Sequence, residues 1–305
     1  MELQSARVRL GIGGWEHEVL DRVLYEKAGL SSEEKLSRYA ETFDVTVTRA
    51  TFWDEDLSAQ DAASWARAVR RNSAFRFVVK LHHRCTHEQN PSSSLRQRVR
   101  HLLQVLDGEG RLGTLLAQFP YSFTNTSTNR FAVIRLSEVF RGFPLHVEFR
   151  HASWHQPSTP GFLEEHRIQM ASADLPRIRQ FMPFHTGTQG TQALLRLHGR
   201  NEKGWLQNGL DARYDYLYNA REVIELRRRI ESLLPSTREI TVIFNNTTGG
   251  HAVANCLQLL SALHGGKTVA VPPSSLAAFP QLRQVADPNR LADGLFNSRE
   301  IRAAV

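Results

Sequence analysis

The chain has 305 residues, of which 41% are hydrophobic, so it is long enough to bury a large core. Its 38 basic and 31 acidic side chains leave a net charge of +7, which favours phosphate, carboxylate or nucleic-acid partners. Cys85 and Cys256 lie far apart, which excludes a disulfide framework and a zinc finger and favours a reducing compartment. Residues 1–9 lack a signal-peptide core and no later run could span a bilayer, so we expect a cytoplasmic protein with no membrane partner.

Short runs of β-forming residues recur along the chain and alternate with segments of helical periodicity. The predicted strands are residues 8–12, 45–48, 75–81, 114–118, 145–149, 169–173, 193–197 and 240–244. The predicted helices include residues 32–42, 59–71, 95–106, 129–140, 160–166, 220–233 and 252–263. Eight strands with interleaved helices over about 265 residues predict a parallel TIM (β/α)8 barrel with surrounding helices, an α/β fold.

The predicted barrel forms one domain over residues 1–265, and a C-terminal extension, residues 266–305, packs on it or trails from it. A doubly wound open sheet is the alternative. It is less favoured because the glycines within residues 11–15 lack the spacing of a dinucleotide-binding loop that opens a helix.

The carboxyl ends of barrel strands usually carry the chemistry, and period two identifies which side chains face inward there. Several predicted strands end in ionisable or amide side chains on that face. The set expected at one barrel mouth is Lys80, His82, Glu148, Arg150, Asp174, Arg196, His198 and Asn245 or Asn246. The alternative is that these charges only neutralise one another, because unpaired buried charge is costly whatever the function.

Glu148 and Asp174 are the candidate acid and base, and His198 is a candidate proton carrier. The turn over residues 245–250 precedes an apolar helix, whose free backbone amides could receive an anion. The alternative for this turn is an ordinary helix cap. No compact spacing of histidines and carboxylates indicates a metal site, and the sequence specifies no cofactor.

Five segments carry a family resemblance. They read FRFVVKLHHRCTH (75–87), GTLLAQFP (113–120), HVEFRHASW (146–154), LLRLHG (194–199) and VIFNNTTGGHAVANC (242–256). In order and spacing the chain resembles the YecE-like family, a domain of unknown function catalogued as DUF72. The resemblance implies a TIM barrel but no reaction. The polar positions that match those of the family are Lys80, His87, Gln118, Glu148, Arg150, His151, Asp174, Arg196, His198, Asn245 and Asn246.

The chain departs from the family pattern in its second strand. Where the resemblance implies a glutamate and an asparagine, this sequence has Val47 and Arg49. The change removes one carboxylate from the expected mouth and adds a cation there. It leaves Glu148 and Asp174 as the main acidic candidates, and it makes an anionic ligand more plausible.

The leading hypothesis is a barrel that binds a phosphate-bearing small molecule or nucleotide at its mouth, where a carboxylate could serve hydrolysis, elimination or isomerisation. The residues expected to bind the ligand are Lys80, Arg150, His151, Arg196, Asn245 and Asn246. A second hypothesis is nucleic-acid binding or processing, motivated by the net charge and by four tryptophans that could stack on bases, namely Trp15, Trp53, Trp154 and Trp205. A third is a non-catalytic scaffold, which predicts closed ion pairs and no open pocket.

Overall fold

Short buried strands and helices alternate along most of the structure. The computed structural model describes residues 6–187, 190–206 and 210–288, with only the backbone given at 210 and 211. Within those ranges the strands are β1 (Arg7–Ile12), β2 (Val45–Thr48), β3 (Arg76–Lys80), β4 (Leu112–Gln118), β5 (Leu145–Glu148), β6 (Gln169–Met170), β7 (Ser172–Asp174), β8 (Gln192–Leu197) and β9 (Glu239–Phe244).

The helices over the same described ranges lie between the strands and after the last one. They are α1 (Leu20–Val23), α2 (Ser32–Thr42), α3 (Ala59–Ala68), α4 (His83–Thr86), α5 (Ser93–Gly108), α6 (Ser127–Val139), α7 (Ser158–Glu165), α8 (Glu202–Leu206), α9 (Leu210–Arg213), α10 (Ala220–Leu233), α11 (His251–Leu263) and α12 (Pro273–Ala278). Short 3-10 helices cover Ala50–Phe52, Ala152–Trp154, Thr248–Gly250 and Pro280–Gln284.

The sheet closes into a barrel at the predicted sixth strand, residues 169–173. Its strand order is β6-β5-β4-β3-β2-β1-β9-β8-β7, and all of these neighbours pair in parallel. The two ends of this order, β6 and β7, are separated in the chain only by Ala171. β6 pairs with β5 and β7 pairs with β8, so the ends of the sheet meet. The predicted parallel α/β barrel is confirmed.

Most predicted elements are found within a few residues of their expected bounds, but the sixth strand is not continuous. Its predicted range, residues 169–173, is interrupted at Ala171, whose amide donates to the Val147 carbonyl at 2.9 Å. The chain changes its neighbour from β5 to β8 at this point. Residues on the two sides of Ala171 therefore pair with different neighbours, whereas a continuous barrel strand such as β1 pairs with both of its neighbours at once.

The two faces of the strands form two separate apolar layers. Inside the barrel a small cluster is made by Val45, Val47, Val78, Leu116, Ala171, Leu194 and Ile243. The alternate positions, such as Phe77, Val147 and Leu195, belong to the larger core between the sheet and the helices. This alternation is what places the polar ends of the strands inside the barrel mouth.

Helix starts follow local capping chemistry. Ser31 with Glu34, Ser58 with Asp61, and Asn219 with Glu222 form capping boxes at α2, α3 and α10. These caps satisfy backbone amides that the first turn leaves free. Each cap also marks the residue at which a connecting loop ends and its helix begins.

Part of the predicted C-terminal extension packs on the barrel. The Ser275 hydroxyl donates to the Val23 carbonyl at 2.6 Å, which joins α12 to α1. Val269 and Ala286 form an isolated parallel bridge. Residues 289–305 of the predicted extension lie outside the described residues.

Candidate functional site

A buried ion cluster lies at the carboxyl ends of β5 and β8. The Oε2 atom of Glu148 is 2.6 Å from Nη1 of Arg196, and its Oε1 atom is 3.1 Å from Nε of Arg150. Nε2 of His198 lies 3.2 Å from the same Oε1 atom. Period two along the strands brings these four predicted side chains together. We refer to Glu148, Arg150, Arg196 and His198 as the Glu148 cluster.

Asn245, which follows β9, fixes the hydrogen-bond directions on one side of the Glu148 cluster. Nη2 of Arg196 donates to Oδ1 of Asn245 at 3.2 Å. The amide nitrogen of Asn245 is therefore the atom that faces Nδ1 of His198, at 3.1 Å, and it donates there. With Nδ1 accepting, the proton of a neutral His198 lies on Nε2, which is 3.2 Å from Oε1 of Glu148.

The charge states in the Glu148 cluster follow from burial and from its two guanidinium groups. Burial acts to raise the pKa of Glu148, but Arg196, His198 and Arg150 hold that pKa well below its ordinary value. Burial lowers the pKa of His198 to about 3, against the attraction of Glu148. At neutral pH the cluster therefore holds one carboxylate, two cations and a neutral imidazole.

A cavity of about 280 Å³ adjoins the Glu148 cluster at the barrel mouth. Arg196 and Asn245 belong to both the cavity wall and the hydrogen-bonded cluster. The cavity is lined by Gly13, His17, Val47, Arg49, Phe52, Trp53, Lys80, Gln118, Arg196, Tyr214, Asn245, Thr247 and Thr248. Among these described residues, His17, Arg49, Lys80 and Arg196 are basic and none is a carboxylate. We call this space the mouth cavity.

Lys80 ends β3 and lines the mouth cavity. Its Nζ atom lies 3.6 Å from the centre of the Phe52 ring. The Thr51 hydroxyl, 2.6 Å from the Lys80 carbonyl oxygen, ties the Phe52 turn to the end of β3. Within the described ranges, the Lys80 amine has no hydrogen-bond acceptor and no carboxylate partner.

The protonation of Lys80 is opposed by its surroundings. Burial, together with the charges of Arg196 and Arg150, lowers the pKa of Lys80 well below its ordinary value. Glu148 acts in the opposite direction, but its oxygens already contact other groups of the cluster. The Phe52 ring face stabilises a cation by about 0.5–2 kcal/mol, which does not offset several nearby positive charges.

His17 and Arg49 form the opposite wall of the mouth cavity. Nη1 of Arg49 lies 2.9 Å from Nδ1 and 2.8 Å from Nε2 of His17, and Nε2 lies 3.1 Å from the Gly13 carbonyl oxygen. Burial, followed by the charge of Arg49, lowers the pKa of His17 to about 4. A Cβ atom at Gly13 would lie 2.3 Å from Oδ1 of Asn245, so only glycine permits this close approach.

Asp174 belongs to a network separate from the Glu148 cluster. Its two oxygens lie 3.1 and 2.9 Å from Nε of Arg200, and the Tyr218 hydroxyl donates to Oδ2 at 2.9 Å. Burial raises the pKa of Asp174, against the influence of Arg200. Arg200 also contacts Glu222 and Glu225 of α10. The structure therefore does not bring Glu148 and Asp174 together as a direct acid and base pair.

Asp174 also borders a second cavity, of about 460 Å³, which lies beside the loop after β7. Part of its wall is formed by paired charges, since Arg200 and Arg229 both contact Glu225. The remaining lining is Ala152, His155, Leu175, Pro176, Arg177, Ile178, Arg179, Phe181, Met182, Pro183 and Phe184. None of these residues lines the mouth cavity.

Three more of the predicted mouth residues have local structural contacts. Nδ1 of His82 accepts from the Arg84 amide and caps α4. Nδ1 of His151 accepts from the Ser153 amide at 3.1 Å. The Asn246 amide donates to Oδ1 of Asn255 at 2.9 Å and is fully buried. His82, His151 and Asn246 do not line the mouth cavity.

The tryptophans predicted to stack on bases divide into two groups. Trp15 and Trp154 belong to the core, where they are 2% and 0% exposed. The prediction that these two rings stack on a base is therefore wrong. Trp205 is half-buried, with its ring near Arg150 and Arg213. Trp53 is 70% exposed and lines the mouth cavity.

Neither a metal-ligand cluster nor a membrane-spanning helix is present in the described part of the chain. There, no three histidine, cysteine, aspartate or glutamate side chains are grouped to hold a metal ion. No helix in those ranges combines the length and apolarity needed to cross a bilayer. Cys85 and Cys256 are both buried free thiols.

The sequence profile described as "Protein of unknown function DUF72" matches residues 9–278. This chain belongs to the DUF72 family. It is 26% identical to UPF0759 protein YunF of Bacillus subtilis (strain 168) over 274 residues, which cover 84% of this chain and 94% of that protein.

Solved DUF72 structures have the same fold. The crystal structure of a DUF72 family protein from Thermotoga maritima MSB8 is similar at 29% identity and a TM-score of 0.73, covering 85% of this chain and 99% of that one. A DUF72 family protein from Enterococcus faecalis V583 is similar at 26% identity and a TM-score of 0.74, covering 84% and 95% of the two chains.

Val47 is where this DUF72 chain departs from the glutamate that the family resemblance implies. Its side chain lines the mouth cavity and joins the inner apolar cluster. Arg49, two residues further, lines the same cavity. The second strand therefore supplies an apolar surface and a cation, where a glutamate would have supplied negative charge.

Several cavity residues were not among the predicted site residues. His17 and Phe52 follow strands β1 and β2, so the rule that loops after barrel strands form sites could have identified them. Trp53 was predicted only as a residue that could stack on bases, and Thr247 and Thr248 only as part of the turn whose following helix could receive an anion. Tyr214 lies in the long connection after β8. No sequence periodicity places that residue at the mouth.

Proposed function

We propose that this DUF72 protein binds a phosphate-bearing small molecule in the mouth cavity. One observation carries the proposal: the guanidinium cations of Arg49 and Arg196, together with His17 and Lys80 and without any carboxylate, line a space of about 280 Å³ at the carboxyl end of the barrel strands. Cations that converge on one cavity attract a multiply charged anion, and a phosphate oxygen accepts several hydrogen bonds at once.

Uncharged donors add to the basic wall of the mouth cavity. The hydroxyl groups of Thr247, Thr248 and Tyr214 and the amide of Gln118 lie on the same lining. Pockets for small ligands combine an apolar surface with a few converging polar groups. Phe52 and Val47 supply the apolar part here, so the cavity suits a compact ligand with a charged end and a carbon skeleton.

Hydrogen bonds fix the orientation of the Arg196 side chain at the wall of the mouth cavity. Glu148, Gln118 and Asn245 each accept from its terminal nitrogens, at 2.6, 3.3 and 3.2 Å. Its Nε atom is buried and has no hydrogen-bond partner among the described residues. A guanidinium group fixed in this way loses little freedom when a ligand binds.

Glu148 acts in this proposal by orienting Arg196 and Arg150. Both of its oxygens contact cluster cations, and its depressed pKa keeps it ionised. Proton transfer by Glu148, Asp174 or His198 stays a prediction. It calls for a turnover assay once a ligand is known.

Binding can be tested directly by calorimetry with inorganic phosphate, pyrophosphate and ethyl phosphate. Arg49→Ala removes an exposed cation from the cavity wall, and we expect about tenfold weaker affinity, the effect of one charge-assisted hydrogen bond. The matched control is Arg141→Ala, which removes an exposed arginine outside the cavity. Equal affinity in both variants, or no binding of any of these anions, would overturn the proposal.

Nucleotide or nucleic-acid binding is the second candidate, favoured by one observation. Trp53 is 70% exposed at the rim of the mouth cavity, and its ring lies 5.8 Å from that of His83. A base stacked on an aromatic ring contributes about 1–3 kcal/mol. Trp53→Ala should then weaken the binding of adenosine monophosphate more than the binding of ethyl phosphate. Binding of a single-stranded oligonucleotide that falls steeply with added salt would extend this to nucleic acid, and equal losses for both ligands would exclude stacking.

A further inference from the structure

Lys80 differs from the other lysines of the chain in its surroundings. There are five lysines, and all five lie in the described ranges. Lys27, Lys203 and Lys267 are exposed, and Nζ of Lys35 is 2.7 Å from Asp21. Lys80 alone among the five lines the mouth cavity, and within the described ranges its amine has only the Phe52 ring as a partner.

The charged groups around Lys80 come from several strands. Arg196 of β8, Arg150 after β5 and Arg49 after β2 oppose its protonation, and only Glu148 of β5 favours it. Burial acts in the same direction as the arginines, so the pKa of Lys80 lies well below its ordinary value. His87, whose ring is 5.2 Å from that of Phe52, also faces this site, and its own pKa is lowered to about 4. A larger fraction of the Lys80 amine is therefore neutral at neutral pH than for an exposed lysine.

A neutral amine in a cavity is a nucleophile rather than a charge partner. We propose that Lys80 forms an imine with a phosphate-bearing aldehyde or ketone bound in the mouth cavity. The phosphate part of this inference rests on the proposed function, whereas the reactivity of the amine rests on the contacts of Lys80 itself. It narrows the ligand from any phosphate compound to one that carries a carbonyl group.

The covalent step balances without a further reactant. The Lys80 nitrogen attacks the carbonyl carbon, a carbon–nitrogen bond forms, and the former carbonyl oxygen takes up a proton. The amine loses both of its protons over the sequence, and the oxygen leaves as water, which gives a carbon–nitrogen double bond. If the imine is protonated, the Phe52 ring face 3.6 Å from Nζ stabilises its positive charge.

The imine can be trapped in the full chain with sodium borohydride. The probe is glycolaldehyde phosphate at neutral pH, with glycolaldehyde as the uncharged carbonyl control and ethyl phosphate as the control that lacks a carbonyl. Peptide mass spectrometry then gives the label on each lysine. We expect Lys80 to carry about tenfold more label than any other lysine, since an exposed lysine is almost fully protonated at neutral pH.

Lys80→Arg removes the nucleophile and retains a long basic side chain at the same position. This variant should lose the dominant label, whereas the control Arg141→Ala, which changes an exposed residue outside the cavity, should keep it. Label spread over Lys27, Lys35, Lys203 and Lys267 with no excess at Lys80 would overturn the inference, even if ethyl phosphate binds. Selective labelling by glycolaldehyde without any binding of ethyl phosphate would support the reactive lysine and overturn the anion site.

Discussion

Arg196 and Glu148 form the closest ion pair of the barrel mouth, with Nη1 and Oε2 2.6 Å apart and both side chains at most 3% exposed. The pair joins β8 to β5 across the barrel. Arg196 also lines the mouth cavity, whereas Glu148 does not. The Glu148 carboxylate therefore holds Arg196 in place from outside the cavity, and Arg196 lines the space where a ligand would bind.

Glu148→Gln should destabilise the fold. The glutamine keeps the shape but removes the only carboxylate of the Glu148 cluster, so Arg150 and Arg196 become an uncompensated buried pair of charges. We expect the free energy of unfolding to fall by about 3–5 kcal/mol, measured by urea denaturation. Glu138→Gln, at an exposed position, is the matched control and should change it by less than about 0.5 kcal/mol.

The same variant tests whether an anion can replace the lost charge. Phosphate that binds beside Arg196 supplies negative charge, so it should raise the melting temperature of Glu148→Gln more than that of the wild type. Equal stability of Glu148→Gln and the wild type in the absence of phosphate would contradict the role given to this pair.

Gly13→Ala should disturb the ligand cavity with little effect on the rest of the barrel. The added Cβ would lie 2.3 Å from Oδ1 of Asn245, which accepts from Arg196. Displacement of Asn245 releases one constraint on Arg196, and we expect about tenfold weaker phosphate binding by calorimetry. Gly161→Ala is the control, because its Cβ meets nothing within 4 Å. Unchanged affinity in Gly13→Ala would show that Asn245 does not position Arg196.

Stability should fall as the pH falls below about 6.5, in part through His146. Burial lowers the pKa of this histidine from 6.5 to about 4 in the folded chain, where Nδ1 lies 2.8 Å from the Thr114 hydroxyl. Between these two values the unfolded chain binds a proton that the folded chain does not, so acid favours unfolding. The effect of His146 amounts to about 3 kcal/mol by pH 4.

Denaturation of the wild type and His146→Gln across this pH range measures that contribution. The variant should lose less stability between neutral pH and about pH 4.5, whatever its stability at neutral pH. His17, His87 and His198 have lowered pKa values as well, so part of the slope should persist. An identical slope in both proteins would contradict a neutral buried His146.

Asp174→Asn should reduce stability and leave the mouth cavity unchanged. The substitution removes the charge that Arg200 contacts at 2.9 Å, in a network that shares no residue with the Glu148 cluster. We expect a loss of about 1–3 kcal/mol in the free energy of unfolding, with phosphate affinity within twofold of the wild type. Strongly weakened phosphate binding would mean that the two networks are coupled, as a joint acid and base role requires.

The barrel could be predicted because each strand carries a local signal. Alternation along residues 145–149 and 193–197 identifies the inward side chains whatever the rest of the chain does. That alternation brought Glu148, Arg150, Arg196 and His198 into one cluster. The interruption at Ala171 has no such signal in the sequence, because it is visible only in the pairings that the chain makes with β5 before it and with β8 after it.

The sequence by itself determined the parallel barrel, the inward faces of the strands that carry ionisable side chains and the family to which the chain is similar. Only the tertiary structure decided which of the inward charges meet. Glu148 and Asp174 both end barrel strands, yet Glu148 forms an ion pair with Arg196 and Asp174 forms one with Arg200. Strand periodicity specifies the face of a side chain, whereas its partner depends on distances across the barrel and on the loops that close over it. For the same reason, only the tertiary structure shows that Lys80 lines the cavity beside Phe52 and has no carboxylate partner among the described residues.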